Sequence, residues 1–150
     1  MNDLQDLYRE VILDHNRAPR NFGELKDASR IVEGVNPLCG DRMTLYVKLN
    51  GDTVEDIRFT GTGCAISVAS SSLMTERAKG ASRQDNLNLF DKVHDMLTAN
   101  NYDDSKTVDL DKLAALSGVR EYPTRIKCAS LAWHALKNAL TDTGDNVSTE

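Results

Sequence analysis

The sequence predicts an α+β domain, a small antiparallel sheet covered by helices on one face. Three observations predict it. Between Arg42 and Leu49, apolar and polar residues alternate, and Met43, Leu45, Val47 and Leu49 share one face. Asn50-Gly51 is a favoured hairpin turn, and the stretch Val54 to Thr60 returns from it. From Ile66 onward the apolar residues recur at helical rather than strand spacing.

The elements follow in order. Residues 3–15 read as a helix, with Leu4, Leu7, Tyr8, Val11 and Ile12 on one side and Asn2 or Asp3 as its cap. Pro19 and Gly23 break the loop that follows. Ile31, Val32 and Val35 predict a short strand that ends before Asn36-Pro37. In the returning strand Ile57 and Phe59 share a face while Val54 is out of phase, which predicts a bulge. Ile66 to Lys79 reads as a helix stopped by Gly80. Ser82 with Asp85 resembles a capping box, opening a helix that buries Leu87, Phe90, Val93 and Leu97. Asn100 to Asp109 is polar without a period and reads as a loop. Leu110, Leu113, Ala114 and Leu116 predict a short helix ending near Gly118. Pro123 suits the first turn of a last helix carrying Ile126, Ala129, Trp133, Leu136 and Leu140. No linker or internal repeat divides the chain, so one domain is expected over residues 1–150, with 142–150 as a flexible acidic tail.

Bulk properties narrow the function. The chain has 150 residues, 40% hydrophobic and 27% charged, with a net charge of -5. That balance argues against a nucleic-acid partner held on a basic surface. No apolar run approaches the roughly 20 residues of a membrane span, so no membrane partner is expected. Met1 to Asp6 carries no basic and apolar leader pattern, and a cytoplasmic home is the expectation. In a reducing compartment, cysteines more often bind metal or do chemistry than form bridges.

There are three cysteines, an odd count that cannot be fully paired within one chain. Cys39 lies in Asn36-Pro37-Leu38-Cys39-Gly40-Asp41, and Cys64 follows Gly61-Thr62-Gly63. Cys128 lies in Arg125-Ile126-Lys127-Cys128-Ala129. Residues i and i+2 of an extended or turning segment point the same way, so Cys39 and Asp41 can face one ion. Cys64 precedes a helix, whose positive end favours a thiolate. Cys39, Asp41, Cys64 and Cys128 together are enough for a tetrahedral metal site. Sulfur-rich ligation of this kind suits zinc, ferrous iron or an iron–sulfur cluster. A carboxylate among three thiolates departs from a closed structural zinc site, and a thiolate released from it is a nucleophile ready for a persulfide sulfur.

Plainer readings stand beside these. Asp41 can cap the turn after Gly40, and Ser70-Ser71-Ser72 can be a small-residue face that lets helices approach. His15, His94 and His134 read as surface or packing residues, and Trp133 as core. Arg125 and Lys127 can hydrate the helix start, though their closeness to Cys128 also suits a docking role.

The cysteine settings, with Asp14-His15-Asn16-Arg17, the run from Ala69 to Met74, and Trp133-His134-Ala135-Leu136, resemble the iron–sulfur assembly proteins of the IscU-like superfamily. Within it the chain is similar to the SufU branch. The stretch between Cys64 and Cys128 is long, and Lys127 stands where the scaffold branch carries a histidine ligand. The resemblance implies a three-stranded antiparallel sheet packed by helices, with the site at one tip. It implies Zn²⁺ on Cys39, Asp41, Cys64 and Cys128, with iron or a [2Fe-2S] cluster as the alternative. The implied role is a zinc-dependent sulfurtransferase. Cys39 takes persulfide sulfur from a pyridoxal-phosphate (PLP)-dependent cysteine desulfurase, and Arg125 lies near the docking surface. Downstream scaffold or acceptor proteins of iron–sulfur assembly are the further partners implied. The alternative role is a scaffold that assembles and transfers a [2Fe-2S] cluster.

Overall fold

The alternating segment becomes an inner strand of a sheet. The computed structural model describes residues 3–99, 104–120, 122–141 and 147–148. Strand β1 (Arg30–Asn36), β2 (Asp41–Asn50) and β3 (Thr53–Thr62) form an antiparallel meander. Met43, Leu45 and Val47 of β2 are buried, while Leu49 is half-buried. The bulge expected at Val54 is present. Lys48 pairs with Asp56 but Leu49 with Val54, so Glu55 is the extra residue. That one-residue slip returns Val54 to the core face beside Ile57 and Phe59, where all three are buried.

A fourth strand, β4 (Val147–Ser148), pairs in parallel with Gly34 and Val35, giving the order β3-β2-β1-β4. This piece of the expected tail therefore docks on the sheet, whereas residues 142–146, 149 and 150 lie outside the described residues.

Helices α2 (Ala65–Ala78) and α4 (Pro123–Leu140) lie against the sheet. Helix α1 (Asp3–Arg17) packs on α2, and α3 (Arg83–Thr98) on α4. Helix α1 runs past the expected end, burying Val11 and Ile12; Asn2 and the side chains of Leu4 and Leu7 lie outside the described set. Ser82 caps α3 by accepting the Asp85 N–H at 3.0 Å, as the capping box predicts. Leu89 takes the core position assigned to Leu87, which is half-buried. Trp133, Phe59, Leu45 and Ile57 are among the largest fully buried side chains. Full burial of an aliphatic or phenyl side chain stabilises by about 1.5–3 kcal/mol.

The segment expected as a loop and short helix is corrected. Asp104–Val119 is a continuous 3₁₀ helix, and residues 100–103 lie outside the described set. Leu110, Leu113, Leu116 and Val119 are all buried, and their spacing of three is the period of a 3₁₀ rather than an α-helix.

The serine run does more than permit close approach. Ser70 Oγ donates to Ala129 O at 2.6 Å and accepts the Trp133 Nε1–H at 3.1 Å, tying α2 to α4. Ser72 Oγ accepts the Arg20 N–H at 2.8 Å and pairs with His15 Nδ1 at 2.7 Å, tying α1 and the following loop to α2. His15 is thus a core residue, 1% exposed, and its Nε2 has no partner among the described residues. Burial, aided by Arg20, pushes its pKa below the ordinary histidine range against the opposing pull of Glu76 and Asp14. An unfolded chain takes up that proton at about pH 6.5. Below this point the unfolded state binds more protons than the folded one, so stability falls as pH drops toward the folded value. Urea midpoints measured from pH 8 down to 5 are expected to decline below about pH 6.5, and His15→Asn to flatten part of that decline. A parallel decline in parent and variant would contradict this.

Candidate metal centre

The site is built at one end of the sheet from three chain segments. Asn36 and Asp41 are paired residues of the β1–β2 hairpin, and Pro37 to Gly40 form the turn between them. Gly40 closes that turn at φ +70°, a left-handed conformation that a side chain disfavours. Cys39 stands exposed on the turn, with Leu38 beside it 64% exposed. Asp41, by contrast, opens β2 and is fully buried.

The end of β3 brings in the second segment. A Cβ on Gly63 would meet Asp41 Cγ at 3.0 Å, so only glycine lets the strand pass this close to the carboxylate. Cys64 is the N-cap residue of α2, so it directly precedes a helix as expected. The Cys64 side chain makes no capping bond; instead, Asp41 Oδ1 accepts the Cys64 N–H at 2.9 Å. A carboxylate at a helix N-terminus is favoured by the helix dipole. The Cys64 thiol lies 3.9 Å from Asp41 Oδ2.

Cys128 arrives from the second turn of α4, buried at 2% exposure. Its sulfur is 3.4 Å from Cys39 Sγ. One donor atom each from Cys39, Asp41 and Cys128 lie within 4.8 Å of one another. These three could hold a metal ion, and Cys64 adjoins them through Asp41. Burial pushes the Cys128 thiol up in pKa, and its neighbours Asp41, Cys39 and Cys64 push further the same way. A bound divalent ion favours the deprotonated form of a coordinating thiol. The donor set therefore fits zinc or iron.

Arg125 is exposed on the first turn of α4, with its guanidinium 4.6 Å from the Tyr122 ring centre; Lys127 is half-buried one residue before Cys128. Neither belongs to the metal-ligand cluster. His94 and His134 pack against Phe90, away from the donors, as the packing reading expects. The residue that sequence reasoning missed is Asn36. An Asn-Pro step reads as a turn signal, and nothing in the sequence pattern reveals that its amide lies within 3.2 Å of Asp41 Oδ2 and 3.4 Å of Cys128 Sγ.

A sheet packed by helices on one face, with thiols and a carboxylate gathered at its tip, defines a class of small α+β domains with a candidate metal-binding site. The chain belongs to the NifU-like N-terminal domain family, whose model matches residues 7–146. Its relatives bear out the IscU-like and SufU resemblance. It is 48% identical over 92% of its length to the zinc-dependent sulfurtransferase SufU of Bacillus subtilis, covering 92% of that protein. It is 41% identical to the iron–sulfur cluster assembly scaffold protein IscU of Streptococcus pyogenes, covering 93% of this chain and 86% of that one. The crystal structure of FiSufU from Fervidobacterium islandicum superposes with a TM-score of 0.80 at 33% identity, over 91% of this chain and 98% of that chain. Among the described residues no helix is long and apolar enough to cross a membrane.

Proposed function

We propose that this chain is a zinc-dependent sulfur acceptor in iron–sulfur cluster assembly, loaded by a PLP-dependent cysteine desulfurase. The observation that carries the reading is the pairing of one exposed thiol, Cys39, with a buried thiol and carboxylate within 4.8 Å. Its similarity to SufU supports zinc as the ion. Cys39, Asp41, Cys64 and Cys128 would hold it. A bound Zn²⁺ keeps coordinating thiols deprotonated at neutral pH.

The chain's own residues then divide the work. Cys39 is the thiol a partner can reach. As a thiolate it attacks the outer sulfur of the enzyme persulfide; a new S–S bond forms at Cys39, and the desulfurase cysteine leaves as its thiolate. Cys128 is buried and Cys64 half-buried, so both are less accessible to the same attack than Cys39. Arg125 and Lys127, on the turns of α4 that lead to Cys128, would meet the docked partner. Downstream scaffold or acceptor proteins would receive the sulfur.

The test mixes purified protein, desulfurase, cysteine and a reductant. Stimulated sulfide release is the expected result, and in a parallel mixture without reductant a mass gain of one sulfur atom on the peptide holding Cys39. A desulfurase indifferent to the added protein would overturn the reading.

A second reading rests on the relatives named as scaffolds. The same donors would hold a [2Fe-2S] cluster. Reconstitution with iron and sulfide separates the two. A stable coloured species that passes its cluster to an apo-protein favours the scaffold, and a colourless protein that keeps its zinc favours the sulfur acceptor.

A further inference from the structure

The turn that presents Cys39 is anchored by a residue that the sulfur transfer does not itself use. Asn36 is fully buried at the end of β1. Its side-chain amide nitrogen lies 3.2 Å from Asp41 Oδ2 and 3.4 Å from Cys128 Sγ, and donates to both. An amide NH₂ carries two protons, one for each acceptor. The main-chain carbonyl of the same residue accepts the Cys39 N–H at 3.3 Å. One residue thus touches three of the four candidate ligands. It reaches the fourth through Asp41, whose other oxygen accepts the Cys64 N–H at 2.9 Å.

The far side of the amide sharpens the point. Asn36 Oδ1 is buried and has no hydrogen-bond partner among the described residues. Leaving an amide oxygen buried and unpaired is unfavourable. Turning the amide over would set that oxygen against a carboxylate and a sulfur, two groups that offer no proton when ionised. The residue therefore keeps the orientation in which both protons point at the donors of the metal centre. With Asn36 on Oδ2 and Cys64 N–H on Oδ1, the Asp41 carboxylate is fixed at both ends by neutral donors. Each oxygen retains a lone pair to offer an ion.

We infer that Asn36 is a positioning residue of the metal centre. It fixes Asp41 and Cys128 through its side chain and the Cys39 turn through its backbone, so that the donors are in place before an ion enters. Neutral N–H groups that bond to ligating anions favour the charged form and hold the ligand's orientation. The inference rests on the proposed reading that these donors hold zinc.

Two variants separate hydrogen bonding from packing. Asn36→Leu keeps the branched outline in a somewhat larger side chain and removes both side-chain N–H bonds. Asn36→Asp keeps the shape and exchanges the donor for an oxygen. Zinc affinity, read by competition with a chelating dye, is expected to weaken about 10–100-fold in both. The cobalt-substituted forms are expected to show shifted ligand-field bands. Parent-like affinity and parent-like cobalt spectra in both variants would overturn the inference alone. A parent protein that takes up neither zinc nor cobalt would overturn the proposed function and this inference with it.

A measurement on the unmutated chain decides the matter even where the variants fail to fold. In protein loaded with NMR-active cadmium, an Asn36 side-chain amide proton should couple to the metal through the Cys128 sulfur and exchange slowly with solvent. Rapid exchange and no coupling would overturn the inference.

Discussion

Replacing Cys39 with alanine is expected to abolish sulfur acceptance. Cys39 is exposed, whereas Cys64 is half-buried and Cys128 is buried in the core. A persulfide carried on another protein finds the first the most accessible of the three. Losing the attacking group altogether removes the step rather than slowing it, so stimulated sulfide release should fall by on the order of 100-fold or more. Apart from its share in holding the ion, the fold has little stake in this side chain. Its turn is held by the Asn36 carbonyl and by the left-handed Gly40, both of which the substitution leaves in place. Circular dichroism of the variant should therefore match the parent. If Cys39→Ala stimulates the desulfurase as the parent does, or if the added sulfur maps to Cys64 or Cys128, the acceptor has been assigned to the wrong residue.

The second large effect concerns stability and the ion. An ion that binds only the folded chain stabilises it by about 2.7 kcal/mol when its free concentration is 100 times its dissociation constant. Chelation should accordingly lower the urea midpoint of the parent. Cys128→Ala removes a buried donor from α4 while keeping a good helix former there. In that variant the midpoint should be low from the outset and almost insensitive to chelator. The direct packing loss of one buried sulfur is smaller, about 1 kcal/mol. Equal chelator-induced losses in parent and variant would show that Cys128 is no ligand.

The parts of this molecule that sequence makes legible are those in which one residue's chemistry settles its own position. The alternation of Met43, Leu45 and Val47 specifies β2, and the phase error at Val54 reveals the Glu55 bulge before any coordinates do. Ser82 and Asp85 mark the start of α3 by their own hydrogen-bonding needs. A single glycine separates Cys39 and Asp41, which suggests neighbouring donors, and their donor atoms do lie within 4.8 Å.

The illegible parts are those decided by neighbours far along the chain. A histidine in isolation reads equally as surface or packing; His15 is buried, and Ser72, 57 residues away, meets its ring at 2.7 Å. A run of serines reads as spacing; its hydroxyls become cross-links only where Ala129, Trp133 and Arg20 come within reach. Leu110, Leu113 and Leu116 fit an α-helix nearly as well as a 3₁₀ helix, and packing chooses the latter. Val147–Ser148 is too short to carry a strand pattern of its own and takes its conformation from β1. Asn36 belongs to the same group: its partners Asp41 and Cys128 are five and 92 residues distant.

The most direct test of the central claim is metal analysis, coupled to X-ray absorption, of protein purified without chelator. The account predicts about one zinc per chain in a tetrahedral shell of three sulfur atoms and one oxygen. Metal-free protein that refuses zinc when offered, or a zinc shell without sulfur, would contradict it.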